Sequence, residues 1–406
     1  MGIHNQDFDR SNKGPLDGIR ILDMSRLVAG NMLTLQLADF GGEVIKVESL
    51  PNGDPLRAWT ENSIDTHWKT YSRNKKSVSI NLRDPEGITL FRNLAKTASV
   101  VVENFIPGRL EEIGIGPDIL LTDNPSLILV RISGFGQTGP YKNRGGFGTL
   151  VEAMSGFAER NGFADREPVL PPLALADMVS GLYGAMAVLI AVREIEVKGG
   201  SGQIIDLSLL EPIFSILGTD AADFRISGIS KQRVGSASNT TSPRNVYPTK
   251  DGKWLALSAS IQSMTERLFT VIGHRHSITD PRFANNSTRV KHRNEVDKMV
   301  GEWVLQHNLD EALAIFEKGG VTAGPVYNID QFLNDPHILE REVVVDLQDD
   351  DMERIPVHNI VPRLSKTPGT FRYPAPQLGQ HNEEILTNLV TSKKQFLSLK
   401  SRGVIG

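Results

Sequence analysis

Short apolar runs rich in β-branched residues alternate with helix-period segments through the first two hundred residues of this chain. Nothing else in the sequence restricts its fold as much. Residues 19–24, 44–47, 77–82, 99–103 and 127–132 read as strands; 32–40, ended by Gly41 and Gly42, and 85–95 read as helices. A helix between two strands brings the second strand back parallel to the first, because a tight hairpin is no longer available. The pattern therefore predicts an α/β fold of parallel βαβ units, with helices on both faces of the sheet. A long apolar helix over 178–192 follows, then a glycine-rich break at 198–202, one more strand at 204–207 and a helix at 209–217.

The chain has 406 residues, more than one simple core requires. Composition turns to Ser, Gly, Asn, Arg and Lys over 223–241, which reads as a linker. The expected domains are a large unit at 14–222, a smaller unit at 242–335, and a return segment at 336–406 that packs back on the large one. The smaller unit mixes strands at 253–258 and 321–326 with helices at 263–272, 296–306 and 309–317. The return segment is expected to be β-rich to 376 and helical from 382 to 399. The first dozen residues are expected to form a loose tail.

A formal net charge of −4 gives no electrostatic case for nucleic acid or an anionic membrane. The chain contains no cysteine, which excludes disulfides, thiolate metal sites and a cysteine nucleophile and suits a reducing cytosol. No apolar run is expected to span a membrane, and residues 1–13 lack the apolar core of a secretory signal. The turn after the first strand, Ser25-Arg26-Leu27-Val28-Ala29-Gly30, has one glycine where a dinucleotide site needs three, so NAD is not expected. The nine histidines scatter without ligand spacing, so no metal is expected. There is no Gly-x-Ser-x-Gly elbow and no phosphate loop ending in Gly-Lys-Ser/Thr.

One carboxylate stands in the almost wholly apolar stretch from Pro171 to Ala185: Asp177, at the mouth of the long helix. Free backbone N–H groups and the helix dipole stabilise an anion there. A partly desolvated carboxylate is a nucleophile toward an activated acyl group. An ordinary N-cap is the simpler reading of an Asp in this place. Two loops on successive strands argue for a binding cleft instead. They are Glu103-Asn104-Phe105-Ile106-Pro107-Gly108-Arg109 and Ser133-Gly134-Phe135-Gly136-Gln137-Thr138-Gly139-Pro140-Tyr141. Ligands of open α/β sheets sit at the carboxyl ends of strands, and glycines there admit close approach to backbone donors. Arg73, Lys75, Lys76, Arg83, Arg109 and Arg144 form a sparse basic set suited to a ligand with several phosphates.

With these stretches in place, the chain resembles the class III CoA-transferases, the family of formyl-CoA, carnitine and succinyl-CoA-dependent transferases. Pro15-Leu16-Asp17-Gly18-Ile19-Arg20-Ile21-Leu22-Asp23 and Gly41-Gly42-Glu43-Val44-Ile45-Lys46-Val47-Glu48 carry the resemblance first. It continues with Asn74-Lys75-Lys76-Ser77, Glu103-Asn104-Phe105, Asn124-Pro125, Ser133-Gly134-Phe135-Gly136-Gln137, Ala176-Asp177 and Gly202-Gln203-Ile204-Ile205-Asp206-Leu207-Ser208-Leu209. The order and spacing agree over roughly the first 220 residues.

The resemblance implies a Rossmann-like large domain that binds coenzyme A, a smaller α+β domain, and an interlocked, ring-like homodimer. It implies that Asp177 is the catalytic aspartate. Implied CoA contacts are Leu27, Val28, Ile80, Asn81, Leu82, Arg83, Asn104, Phe105, Arg109 and Arg144. Val28 stands where some members carry a glutamine, Ser49 replaces a basic residue, and Glu112 occupies a place often held by arginine, with Arg109 as its substitute. Gly134, Gly136 and Gln137 are expected near the developing oxyanion. Arg244, in Pro243-Arg244-Asn245-Val246-Tyr247, is a candidate partner for a distal substrate carboxylate.

The implied reaction moves CoA from an acyl-CoA donor, with succinyl-CoA the expected one, to a free carboxylic acid through an aspartyl anhydride and an aspartyl-CoA thioester. A racemase of the same family would need a histidine opposite the aspartate, and the matching loop reads Gly145-Gly146-Phe147-Gly148. A non-catalytic CoA-binding protein is the remaining alternative; it would tolerate loss of Asp177.

Overall fold

The computed structural model describes residues 2–406. The chain divides into two compact units. The larger comprises the chain to Ser155, Pro171–Gly218 and Pro336–Gly406; the smaller comprises Gly156–Leu170 and Thr219–Asp335.

The centre of the larger unit is a sheet of six strands: β1 (Arg20–Asp23), β2 (Glu43–Glu48), β3 (Lys75–Ser79), β4 (Val100–Glu103), β5 (Ile128–Ser133) and β6 (Gln203–Ser208). All neighbours run parallel, in the order β3-β2-β1-β4-β5-β6. That order is the Rossmann-type doubly wound arrangement, and it reverses direction between β1 and β4. Strands covered on both faces need apolar side chains on both faces, as in the wholly buried Val100-Val101-Val102 of β4. β3 is shorter than the alternation predicts. Ile80 leaves the parallel ladder and forms an antiparallel bridge with Ile405. Its side chain stays in the core with Val78, Phe91, Leu399 and Val404, so the apolar period outlasts the strand.

Helix α1 (Ala29–Asp39) follows β1, α2 (Gly148–Met154) follows the glycine-rich loop after β5, and α3 (Leu175–Lys198) precedes β6. α3 is longer than the predicted 178–192. It runs past Arg193 to a left-handed Gly199 (φ 67°), which closes it. It is long and apolar enough, by length and composition, to cross a membrane, which corrects the expectation that no apolar run approaches that length. In this fold one face of it packs against α1 and the sheet, while Leu182, Met186, Leu189 and Ile190 stay exposed. Ser180, Gly181, Gly184, Val188 and Ala191 form a buried stripe at helical spacing. A Cβ on Gly181 would lie 2.7 Å from the side chain of Met32, and one on Gly184 would lie 2.9 Å from Leu207, so glycine sets how closely α3 approaches α1 and the sheet.

The first residues are not the loose tail expected of them. His4–Gln6 pairs in parallel with Val345–Leu347, in a small sheet completed by Glu353–His358, and Phe8 packs against its core. Phe8 is the apolar residue that ties down an otherwise polar stretch. The last helical segment divides into Asn382–Leu386 and Lys393–Ser401, the second capped by Ser392.

In the smaller unit, the strands Arg244–Pro248, Trp254–Ser258 and Ala323–Pro325 form an antiparallel sheet. Leu268 and Phe269 of helix Gln262–Val271, Val296 and Val300 of Arg293–Val304, and Phe316 of Leu309–Lys318 close the core over it. Helix Asp220–Ser227 occupies the start of the stretch read as a linker. None of its residues is buried, so the helix carries no apolar periodicity for a sequence reading to detect.

Candidate active site

A cleft of about 560 Å³ opens at the carboxyl ends of β1 to β4, beside the point where the strand order reverses. Of the expected contact residues, Ile80, Asn81, Leu82, Arg83, Phe105 and Arg109 line it. Glu112 also lines it and pairs with Arg109 at 2.9 Å, so this arginine arrives with its charge engaged. Asn104 acts from behind: its side chain accepts from the Arg26 N–H (2.9 Å) and donates to the Arg26 carbonyl (2.8 Å), fixing a wall of the cleft. Arg26 itself lies over the Phe105 ring at 5.7 Å. Beneath Phe105, Glu103 accepts its N–H at 2.7 Å, and burial pushes that carboxyl up to about 7 despite the adjacent Arg131.

Leu27 and Val28 do not line the cleft. Leu27 adopts a left-handed backbone (φ 65°), unusual for a branched side chain. The structure around it supplies the compensation. Asp54 accepts from the Leu27 N–H and the Leu56 N–H, both at 2.9 Å, and from the Asn31 amide at 2.8 Å. The wholly buried Lys46 ties Asp54 (2.9 Å) to Asp23 (3.2 Å) and donates to the Ser25 carbonyl at 2.6 Å. Burial works against the Asp23 anion, but Lys46 and Lys75 outweigh it and hold the carboxyl down at about 2. Burial also opposes charge on Lys46, and there Asp23 and Asp54 prevail and raise its value. Sequence reasoning missed this network. Its members lie on four separate segments, and only the fold brings them together.

Asp177 sits in the first turn of α3, yet it is not the N-cap. The N-cap position is Ala174, which has no side-chain acceptor. The Ala176 N–H is taken instead by Glu152 Oε1 of α2, at 3.0 Å. Glu152 is 2% exposed. Burial first, and then the charge of Glu152, push Asp177 up to about 6, against the opposing effect of its own backbone N–H. The expected stabilisation of the anion by the helix end persists through the Asp177 N–H, but burial and a second carboxylate at that end outweigh it. A Cβ on Gly148 would fall within 3.0 Å of Asp177 Oδ2, so a side chain there would displace the carboxylate. Gly148 and Glu152 lie four apart on α2 and share its face toward Asp177.

The glycine-rich loop after β5 is folded tightly on itself. A Cβ on Gly134 would be 2.5 Å from Gly146 Cα, so the two glycines cross backbone against backbone. The Gly136 N–H donates to Ser133 Oγ (3.0 Å), and the Gln137 N–H donates to the Asp206 carboxylate (3.0 Å to each oxygen). Arg144 is exposed and stacks 3.7 Å over the Tyr141 ring, away from the lining of the cleft. Arg244 is an exposed residue of the smaller unit, paired in register with Ser258.

The model of CoA-transferase family III matches residues 16–382. The chain is 38% identical over 388 residues to the succinyl-CoA–D-citramalate CoA-transferase of Chloroflexus aurantiacus, covering 95% of this chain and 96% of that one. It is 35% identical to the succinate–glutarate CoA-transferase of Agrobacterium fabrum, over 95% and 98% of the two chains. Among solved structures, a CAIB/BAIF family protein from Brucella suis superposes with a TM-score of 0.81 at 32% identity, over 93% of this chain and 100% of that one. With a family match over nearly its whole length, on a parallel sheet of six strands, the chain belongs to CoA-transferase family III and is an enzyme of acyl-CoA metabolism.

Proposed function

We propose that the protein transfers CoA from succinyl-CoA to a free dicarboxylate or hydroxy-dicarboxylate, with Asp177 as the nucleophile. One observation carries this reading: the Asp177 carboxylate is held at the mouth of an apolar helix, over a glycine that leaves room for it. The Asp177 carboxylate attacks the thioester carbonyl, the C–S bond breaks, and CoA leaves as a thiolate, giving a mixed anhydride. The thiolate attacks the Asp177 carbonyl and releases succinate, leaving an aspartyl-CoA thioester. The acceptor carboxylate attacks that thioester and frees the thiolate. The thiolate then takes the acceptor acyl group and restores Asp177. One thioester replaces another, so no nucleotide triphosphate is consumed. The apolar surroundings protect the anhydride from water. Loop 134–137 stabilises the oxyanion if the Gly136 and Gln137 N–H groups exchange their present acceptors for it.

The cleft at β1 to β4 is the place we assign to CoA, with Arg83 and Arg109 toward its phosphates. Relatives named for D-citramalate, L-malate and glutarate support a four- or five-carbon diacid acceptor. Beside the buried stripe, α3 exposes Leu182, Met186, Leu189 and Ile190, an apolar surface that supports the interlocked homodimer. A solution mass of one 44.6 kDa chain would remove the dimer. The cysteine-free composition supports a cytosolic setting.

The test is trapping. Wild-type protein incubated with succinyl-CoA and then hydroxylamine yields a hydroxamate at Asp177, read by peptide mass spectrometry. Asp177→Ala binds CoA but transfers nothing. Full turnover by that variant contradicts the mechanism.

A further inference from the structure

The carboxylate beside Asp177 has no place in the reaction as written, and its geometry gives it one. Glu152 is on α2, is 2% exposed, and spends Oε1 on the Ala176 N–H at 3.0 Å. That N–H is one of the donors at the start of α3 which an acid in the first turn ordinarily faces. A buried carboxylate from another helix therefore caps α3, while the acid that belongs to α3 is left over Gly148. We propose that Glu152 is a positioning residue for the transfer reaction: by occupying the helix cap and holding negative charge beside Asp177, it keeps the nucleophile free of the Ala176 N–H and directed over Gly148. The proposal rests on Asp177 being the nucleophile.

Charged groups on the other elements packed on the start of α3 are engaged elsewhere. Ala174 and Met178 pack on the cluster of Val28, Leu56 and Trp68, whose segments carry Arg57, paired with Glu48, Lys69, paired with Asp349 and Asp351, and His67, edge-on to Trp59. On α1 the one ionisable residue is Asp39, in its last turn and paired with Arg73. On β5, Arg131 is engaged by Glu103 and Glu111. Asp206 of β6 accepts from Gln137, and Glu211 of the following helix accepts from Ser208. Arg193, Glu194, Glu196 and Lys198 of α3 lie four or more turns away, at its far end. Among charges, only that of Glu152 acts on Asp177, adding to burial in raising it to about 6. A carboxylate made more basic in this way is a better nucleophile toward a thioester at the same degree of ionisation. Direct capping by Ala176 would lower that basicity.

Glu152→Gln separates charge from cap, because the amide oxygen still accepts the Ala176 N–H. In that variant the acid limb of kcat/KM for succinyl-CoA, near pH 6 in the wild type, moves down by about one pH unit. The plateau kcat falls by about three- to tenfold, while the KM for succinyl-CoA stays within about twofold. Glu152→Ala loses the cap as well, and its kcat falls further. An acid limb that does not move in Glu152→Gln, with the hydroxamate still trapped at Asp177 in both proteins, overturns the role of Glu152 and leaves the nucleophile standing. Absence of the hydroxamate in the wild type removes the nucleophile and this proposal together. Should Glu152→Gln not fold, isotope-edited infrared spectroscopy of Glu152 in the wild-type enzyme decides. A Glu152 that is ionised where Asp177 ionises supports the proposal, and one that stays protonated there, and so places no charge beside Asp177, overturns it.

Discussion

Gly148→Ala tests the placement of Asp177 directly. The added methyl carbon would lie within 3.0 Å of Asp177 Oδ2, 3.4 Å from Asp177 Cγ and 3.7 Å from Glu152 Oε1. The crowded atom is the end of a side chain, so the structure yields there and the backbone holds. Off-rotamer strain in Asp177 costs about 0.5–1.5 kcal/mol, and alanine in place of glycine in a helix offsets up to about 1 kcal/mol of it. Stability therefore falls by at most about 1.5 kcal/mol. Activity does not escape. To reach ordinary contact, Oδ2 must withdraw by on the order of 1 Å, and a displacement of that size costs about a hundredfold in rate, or about 2.7 kcal/mol of activation free energy. The assay is steady-state transfer from succinyl-CoA to a panel of diacids, beside CoA binding by calorimetry and thermal melting. The expected variant melts like the wild type, binds CoA, and turns over about a hundredfold more slowly. A kcat within about threefold of wild type would show that Asp177 does not react from the position seen here.

Asp177→Asn should stabilise the protein in a pH-dependent way. The folded value of about 6 lies above the ordinary 3.8, so the native state binds more protons than the unfolded chain between those values, and stability falls as pH rises through that window. Removing the charge returns up to about 3 kcal/mol at pH 8 and nothing below about pH 4. Urea unfolding at the two values checks this, and an equal gain at both would contradict it. Asp54→Ala takes away one of the two carboxylates on Lys46, leaving Asp23, and frees the strained Leu27 turn, so it should cost on the order of 3 kcal/mol and raise the KM for acyl-CoA. Unchanged unfolding would show that the buried network is not under load.

The parallel sheet was legible because its strands are buried on both faces, and that demand is written in local composition: Val100-Val101-Val102 reads as a strand without reference to anything distant. The cleft residues at 80–83 and 105–109 were legible for a related reason, since they directly follow such strands. Arg144 was not placed with them, because after a turn rich in glycine nothing local dictates where a side chain goes; it ended on Tyr141. The strand at His4–Gln6 was invisible because its partner, Val345–Leu347, is more than three hundred residues away.

Asp177 marks the boundary between the two kinds of information. The residues around it determine that an isolated carboxylate stands where an apolar helix begins. They do not determine which groups that helix end faces. Hydrogen-bond donors at a helix terminus take whichever acceptor the packing delivers, and here the packing of α2 on α3 delivers Glu152. Local periodicity selects elements because it acts within a few residues. The state of a nucleophile depends on charge and solvent exclusion across several ångströms of space, and those distances exist only once the chain has folded.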